Sequence, residues 1–595
     1  MKFSPEQKYI AKMLSEEDVR FIIPPYQRPY KWGINECETL WNDILNAFNE
    51  GNNKNDEYFL GSIIAFSENR DNFQIIDGQQ RITTFTLLFR AFYECFKTES
   101  NSEKEKGDFE KDFGKCVWEY ENEEGFKFEN QHLQSEVATE KEQENLNKIL
   151  SENIDESFLQ EHSNKSKHNR SLYVQNYLYF KDKLENLKAS KALSWSKFCN
   201  FVLGKNLFVL FVVCDSQESA MTIFNTLNSR GMRLSNADIL KGYLYKYYKE
   251  SNNTDLDNFI KSWSKIEANI ENIDGKNDVN LDFLFLQYMH IIRAVNNDSD
   301  TTTPGLLDFF TKESTTNTKK KVTYGYRDKW LYKSETMPFI TLLTNFWLRP
   351  QNYLQGKSLY YMNVLFLFQN SSWKSFVSCL VWKNRELLSC ENIDRDMISS
   401  TFEKALLGLL KIMSLLFINN QATTNKTDQI TFKLNANLLN NISLNNEIEK
   451  VSYPSKEIFL NNFNNIATRK AKYLLYLYAY VYDDFSQPIN VADLEVEHIL
   501  PKQWQSANFN DWDKENHKEY LEQIGNKILL PKVTNIKCAD NFFAEKKKEY
   551  ADSKNSHLKE VKDLANLSQN AWLKEDIDKR NEDIYTRLKN FFEEK

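Results

Sequence analysis

Two short apolar runs, FLGSIIAF at Phe59–Phe66 and FVLFVVCD at Phe208–Asp215, alternate with helical patterns over the first 245 positions. Apolar runs of that length between helical segments predict strands of an α/β domain. Another strand is predicted in NFQIIDGQQRITTFTLLFRAF, where it ends at Ile76. Asp77 and Gly78 then form a tight turn, and a helix follows with Ile82, Phe85, Phe89 and Phe92 on one face. From about Thr98 to Arg170 the chain turns rich in Glu, Lys, Asn and Ser, which predicts solvated helix or loop inserted over that domain rather than core. Between about 246 and 455, amphipathic patterns such as LDFLFLQYMHIIRAV and KALLGLLKIMSLLF are divided by NNDSDTTTP, KESTTNTKKK and NNQATTNKTDQ. The expectation there is a helical spacer with mobile loops at the polar breaks. The last region, 456–595, opens on FLNNFNNIATRKAKYLLYLYAYVYDDFS, read as one tyrosine-rich helix. It continues through a motif segment at Leu494–Tyr550 into a charged helical tail.

Composition sharpens this picture in three ways. A chain of 595 residues exceeds one ordinary core, and 16 Gly and 11 Pro leave few helix breakers, so a helix-rich, mixed α/β, multidomain protein is expected. The net charge of −8 argues against a basic nucleic-acid coat, although a local basic groove can still hold DNA. The eight cysteines form no C-x-x-C pair, which suggests neither a thiolate zinc knuckle nor a disulfide framework. The apolar runs are too short for a bilayer and the start lacks a secretory pattern, so a cytoplasmic protein without a membrane partner is expected. No G-x-x-x-x-G-K-[ST] loop is present, which removes a P-loop motor from this chain.

Chemistry concentrates at two places. In the first, Asp77, Gln79, Gln80 and Arg81 sit where a helix begins, and free backbone N–H groups with the helix dipole favour a phosphate there. Arg81 suits a bidentate phosphate contact, and Asp77 suits a magnesium ion or a polarised water. So short a motif is equally an Asp-Gly turn followed by helix-capping side chains. Its flanks add FIIPPYQRPYKWG, which brings Tyr26, Arg28, Tyr30 and Trp32 together after a stiff Pro pair. They also add FNTLNSRGMRLSNADILKGYL, with Asn225, Asn228, Arg230 and Gly231 at a turn and Ser235 capping the next helix.

The second place is LEVEHILPKQW, then GNKILLPKVTN, then NFFAEKKKEY. A carboxylate beside a histidine is common by chance, and Glu497-His498 alone would not decide anything. A ββα-metal nuclease, however, needs a histidine to deprotonate water, a cation held by a carboxylate with an amide or imidazole, and an Asn that pins the loop. Glu497 and His498 fall on a first predicted strand and point to opposite faces. Asn526 follows Gly525 at the start of a second strand, KILLP, and Asn535 heads the helical segment after it. Lys546, Lys547 and Lys548 fit either a place near the scissile phosphate or a solvated helix face.

Taken together, IPPYQRPYKW, FLGSI with IIDGQQRITT, and FNTLNSRGMRLSNADILK resemble the N-terminal domain of GmrSD-type proteins, which is related to the ParB and sulfiredoxin-like fold. The resemblance spans roughly the first 245 residues outside the charged insertion. E-H-I-L-P, G-N-K-I-L-L and N-(x5)-N-F-F-A-E-K-K resemble the HNH domain that accompanies it. The resemblance implies nucleotide binding by Asp77, Gly78, Gln79, Gln80 and Arg81, extending to Arg28, Asn228 and Arg230. It implies His498 as general base, Asn526 as the loop anchor, and Lys546 near the phosphate. Glu497 and Asn535 are the implied metal contacts, with Asn541 as the rival to Asn535. The expected cofactors are magnesium or manganese and a nucleoside triphosphate, ATP, GTP or another. The implied function is type IV restriction in phage defence: NTP-dependent cutting of double-stranded DNA with modified bases, such as glucosylated hydroxymethylcytosine. Alternatives are a phosphorothioate-sensing nickase with the same domains and a non-cleaving, nucleotide-responsive regulator. An RNA nuclease ranks last, since no RNA-binding signature is present. A homo-oligomer stays open.

Overall fold

In a computed structural model the described residues run from 3 to 594, except 51–56, 70, 98–102, 138–139, 165–170, 191–193, 217–218, 221–234, 251–253, 272–278, 315–322, 444–450, 467, 491–492, 504–511 and 553–556. The chain divides into two compact units, 1–260 and 261–595. Both are rich in helix, and the architecture is mixed α/β. Among the described residues no helix is long and apolar enough to cross a membrane.

The first unit is built on a six-stranded mixed sheet of order β1-β8-β3-β4-β2-β7. Its members are β1 (Phe3–Tyr9), β2 (Arg20–Ile23), β3 (Tyr58–Asn69), β4 (Asn72–Asp77), β7 (Leu133–Ser135) and β8 (Leu207–Cys214). The apolar runs predicted as strands become β3 and β8, which pair in parallel with Ile64 opposite Val212. A strand with apolar residues on both faces needs cover on both. The helix Gln79–Lys97 supplies part of it by burying Ile82, Phe85, Phe89 and Phe92 completely. The charged stretch 98–170 differs from expectation, because it is not merely a solvated excursion. It forms a hairpin of β5 (Trp118–Glu121) and β6 (Gly125–Gln131) and then gives β7, which pairs in parallel with β2 and extends the main sheet. Phe113, Trp118, Leu133 and Ile149 from this stretch are fully or almost fully buried. Scattered aromatic and aliphatic residues at the right register outweigh a polar composition.

In the second unit, the two predicted amphipathic helices appear as Leu281–Val295 and Arg395–Ile418. Two expectations change. The polar break NNQATTNKTDQ is in large part helix: Thr423 caps Thr424–Leu439 by accepting from the Lys426 N–H, so its Thr and Asn content marks a helix start rather than a loop. The tyrosine-rich segment is two helices, Lys456–Phe463 and Thr468–Tyr482, the first capped by Ser455. Its C-terminal part holds a two-stranded antiparallel sheet of β9 (Leu494–His498) and β10 (Lys527–Pro531), followed by the helices Lys532–Cys538 and Phe543–Tyr550.

Candidate functional site

In the first unit, β4 ends at Asp77 and the chain turns through Gly78 at φ +89° into the helix that starts at Gln79. A Cβ at Gly78 would lie 2.8 Å from Ile63 Cγ1 and 3.2 Å from its Cα, so β3 itself demands glycine there. Gly61 serves the same turn from the opposite strand. The Arg81 guanidinium lies across it, where a Cβ would come within 2.8 Å of Nη2, and Nη1 donates to the Ser62 carbonyl at 2.7 Å. Asp77 and Arg81 are close enough to feel each other's charge. Lost hydration raises the Asp77 carboxyl and lowers Arg81, and each opposes the other's shift.

The two glutamines of the turn have different surroundings. Gln80 is engaged: its Oε1 accepts from the Lys31 and Trp32 N–H groups at 2.7 and 3.1 Å, and its Nε2 donates to the Pro29 carbonyl at 3.1 Å. It thereby ties the Pro-rich segment to the helix. Gln79 is 8% exposed, and its Oε1 finds no hydrogen-bond partner among the described residues. The aromatics of the Pro-rich segment serve packing: Tyr30 is buried, stacks on Tyr173 at 5.0 Å, and accepts from Asn176 Nδ2 at 2.9 Å. Arg28 donates to Asp238 at 2.6 Å, and Asp238 also accepts from the Ser235 N–H and hydroxyl at the start of the helix Asn236–Glu250. Asn228 and Arg230, like Asn225 and Gly231, lie outside the described residues.

In the second unit the antiparallel register sets Lys527 opposite His498 and Ile528 opposite Glu497. Neighbours on a strand face opposite ways, and the two motif residues accordingly take partners from different elements. Glu497 is buried, and its Oε1 accepts from Lys546 Nζ at 2.6 Å; the same ammonium donates to the His498 carbonyl at 2.6 Å. Lys546 is thus a buried clamp on both motif residues. Lys547 donates to the Leu567 carbonyl at 2.8 Å, and Lys548 pairs with Glu545 on the surface at 2.7 Å. Burial raises the Glu497 carboxyl above its ordinary value against the pull of Lys546, with Asp540 adding to the rise.

The His498 side chain is 7% exposed, and its Nε2 lies 3.2 Å from Glu522 Oε1. Burial pushes the imidazole down to about 4; Glu522 opposes this, while Lys527 and Lys502 add to it. The ring is therefore neutral near pH 7, the form a proton acceptor needs. Asn526 is fully buried, and its Oδ1 accepts from the Leu500 N–H at 2.7 Å while its Nδ2 donates to the Leu521 carbonyl at 2.9 Å. It pins the turn that follows His498. Helix Lys574–Glu593 supports the segment that carries Asn526: Arg580, paired with Glu560 at 2.8 Å, donates to the carbonyls of Ile524, Gly525 and Lys527.

Asn535 and Asn541 separate clearly. Asn535 Nδ2 donates to Glu495 Oε2 at 3.0 Å, so its helix docks its amide beside the strand face shared by Glu495 and Glu497. Asn541 is exposed at a turn, where its amide donates to the Lys537 carbonyl at 3.1 Å. Among the described residues no three His, Cys, Asp or Glu side chains group in a way that could hold a metal ion, so an ion here would rely partly on amide or water oxygen. Four partners escape a reading of the sequence. Glu495 leaves a trace, as the second acid at period two in LEVEH. Lys527 shows as a cation opening an apolar strand, whereas Glu522 and Arg580 carry no local signal because only the tertiary fold brings them in.

Residues 10–245 match the family model described as GmrSD restriction endonuclease, N-terminal domain, and residues 453–587 match GmrSD restriction endonucleases, C-terminal domain. A search of curated proteins finds no match.

Proposed function

The chain belongs to the GmrSD restriction endonuclease family and carries both of its domains; from that premise we propose that it hydrolyses DNA at Glu497-His498 in an HNH-type site. We assign nucleotide binding to the Asp77–Arg81 turn of a ParB-like domain. The observation that carries the reading is a buried His498 on β9, next to a buried carboxylate and ahead of a turn fixed by Asn526.

The donors near β9 suit a hard divalent cation in chemical type, being carboxylate and amide oxygens with no thiolate. Glu497 is held above the ordinary carboxylate value by burial, and Asn535 spends its Nδ2 on Glu495, which leaves its amide oxygen for another partner. Magnesium or manganese, held by Glu497 and Asn535, would supply charge to neutralise the phosphate. The chain's own part is distinct. His498 takes a proton from the attacking water as the new O–P bond forms and the ester P–O bond on the opposite side of phosphorus breaks, the departing oxygen gaining a proton from solvent, and Asn526 keeps the turn after His498 in place. Lys546 holds the Glu497 carboxylate and the His498 backbone, so its role is to position these groups rather than to touch the phosphate.

At the first unit, the helix N-terminus suits phosphate, and Arg81 has donors beyond the one given to Ser62. Gln79 adds a buried acceptor without a partner among the described residues, which a ribose hydroxyl or a base amine would satisfy. A nucleoside triphosphate fits that mixture better than inorganic phosphate does. The substrate proposed is modified phage DNA.

The test is cleavage of glucosylated hydroxymethylcytosine phage DNA beside unmodified DNA, with magnesium, with and without each triphosphate, for wild type and His498→Ala. Selective cutting of modified DNA that the substitution abolishes supports the proposal. Equal cutting by His498→Ala removes the nuclease assignment from this site.

A further inference from the structure

We propose that Glu522 is a positioning residue for His498. Its carboxylate accepts a hydrogen bond from Nε2–H of the imidazole and so leaves Nδ1 as the nitrogen that accepts the proton of water. The inference rests on the nuclease reading above and deepens it by naming the tautomer and what fixes it.

Glu522 stands between two groups that the β9–β10 register brings together. Lys527 lies directly opposite His498 across the ladder. Glu522 reaches both, with Oε1 at 3.2 Å from His498 Nε2 and Oε2 accepting from Lys527 Nζ at 2.6 Å. The Lys527 side chain is fully buried, and its ammonium also donates to the Ile466 carbonyl at 2.7 Å. A buried ammonium needs a counter-charge, and Glu522 provides it, so the carboxylate is kept ionised and in place. Burial acts to raise its proton affinity, but the Lys527 bond and charge, with His498, bring it below the ordinary glutamate value.

An ionised carboxylate only accepts hydrogen bonds, so the contact to Nε2 exists only when Nε2 carries the hydrogen. The lone pair of the neutral ring is then on Nδ1. The backbone is fixed as well, since Lys546 holds the His498 carbonyl at 2.6 Å and the Asn526 carbonyl accepts from the Ile499 N–H at 2.9 Å. The ring is thus held at its backbone and at Nε2.

Replacing Glu522 by Gln separates orientation from charge. A glutamine has one acceptor oxygen for two neighbours that both donate, and the Lys527 ammonium competes for it. The NH2 group is then presented to Nε2, which favours the wrong tautomer. Adding Lys527→Met removes the competitor with a side chain of similar size, and the Gln oxygen is again available to Nε2–H. A merely structural role does not produce that rescue.

The first readout needs no metal, nucleotide or DNA. The full chain, deuterated and labelled with 15N-histidine, has seven histidines, and the His498 signals are those lost in His498→Ala. Long-range 1H–15N correlation is expected to show the Nε2–H form in wild type, a shift towards Nδ1–H in Glu522→Gln, and its return in Glu522→Gln/Lys527→Met. Wild-type His498 as the Nδ1–H form overturns the proposal.

The second readout is magnesium-dependent cleavage of phage DNA. Glu522→Gln is expected to lower kcat about 10- to 100-fold with KM nearly unchanged, the double variant to recover most of it, and Glu522→Gln in a His498→Ala background to add nothing. Equal loss in the single and double variants, accompanied by a lower unfolding midpoint in both, overturns it as well. If His498→Ala cleaves like wild type, the nuclease reading itself fails. If that variant is inactive while Glu522→Gln is as fast as wild type, only the present inference fails.

Discussion

The two motif segments spend their polar side chains in different ways. At the Asp77–Arg81 turn, Gln80 and Arg28 are committed to holding neighbouring backbone and helix, Arg81 gives a donor to Ser62, and Gln79 is buried with an acceptor unmatched among the described residues. Around Glu497-His498 each buried cation meets a carboxylate: Lys546 the buried Glu497, Lys527 the partly exposed Glu522, Arg580 the nearly buried Glu560. A site that must meet a changing ligand keeps unmatched groups. A site that must hold one geometry locks its charges together, because a buried ion pair is far more costly to break than to keep.

That contrast predicts a hierarchy. His498→Ala is expected to cut kcat about 1000-fold, the scale of a lost general base, with the chain still folded by circular dichroism. Lys546→Met comes next and should act on stability, because it leaves Glu497 buried without a counter-charge at a cost of about 3 kcal/mol. Its unfolding midpoint should fall in the absence of metal and recover more than that of wild type when magnesium is added. No greater recovery would place the cation away from Glu497. Acid should weaken the same region. His498 takes a proton near pH 6.5 when unfolded but only near 4 when folded, so the unfolded chain binds more protons between those values. Stability attributable to this group is intact above pH 6.5 and is lost as pH falls towards 4, by about 2 kcal/mol at pH 5 and about 3 kcal/mol at pH 4. Urea unfolding at pH 7 and pH 5 should show a shallower loss in His498→Gln than in wild type.

How much of this was legible in the sequence depended on whether local spacing encodes it. The strand, turn and helix about Asp77 and the β9–β10 pair carrying Glu497, His498 and Asn526 lie within short segments, and periodicity located them. The stretch after Thr98 misled because composition averages over positions. A few residues such as Trp118 and Leu133, at the register that faces the core, make it part of the main sheet. The same limit hid the partners. Glu522 and Arg580 lie 24 and 82 positions beyond His498, and only the folded chain brings Glu522 to His498 and Arg580 to the carbonyls beside Asn526. Lys546 was visible as a cation near the motif, but its burial and its bonds to Glu497 and the His498 carbonyl were not.

The smallest expected effects distinguish the adjacent glutamines of the first unit. Gln80→Ala removes three hydrogen bonds to residues 29–32 and should destabilise the unit by about 2 kcal/mol. Nucleotide affinity should fall only as that segment loosens. Gln79→Ala removes a buried acceptor that has no partner among the described residues, so thermal stability without ligand should stay level or rise by about 1 kcal/mol. If Gln79 faces the nucleotide, affinity for the triphosphate should nevertheless drop about tenfold, the worth of one hydrogen bond to a buried group. Calorimetric titration of both variants with ATP and GTP separates the roles. Loss of stability in Gln79→Ala without loss of affinity would mean that both glutamines are structural, and the contrast between the matched and unmatched halves of the turn would collapse.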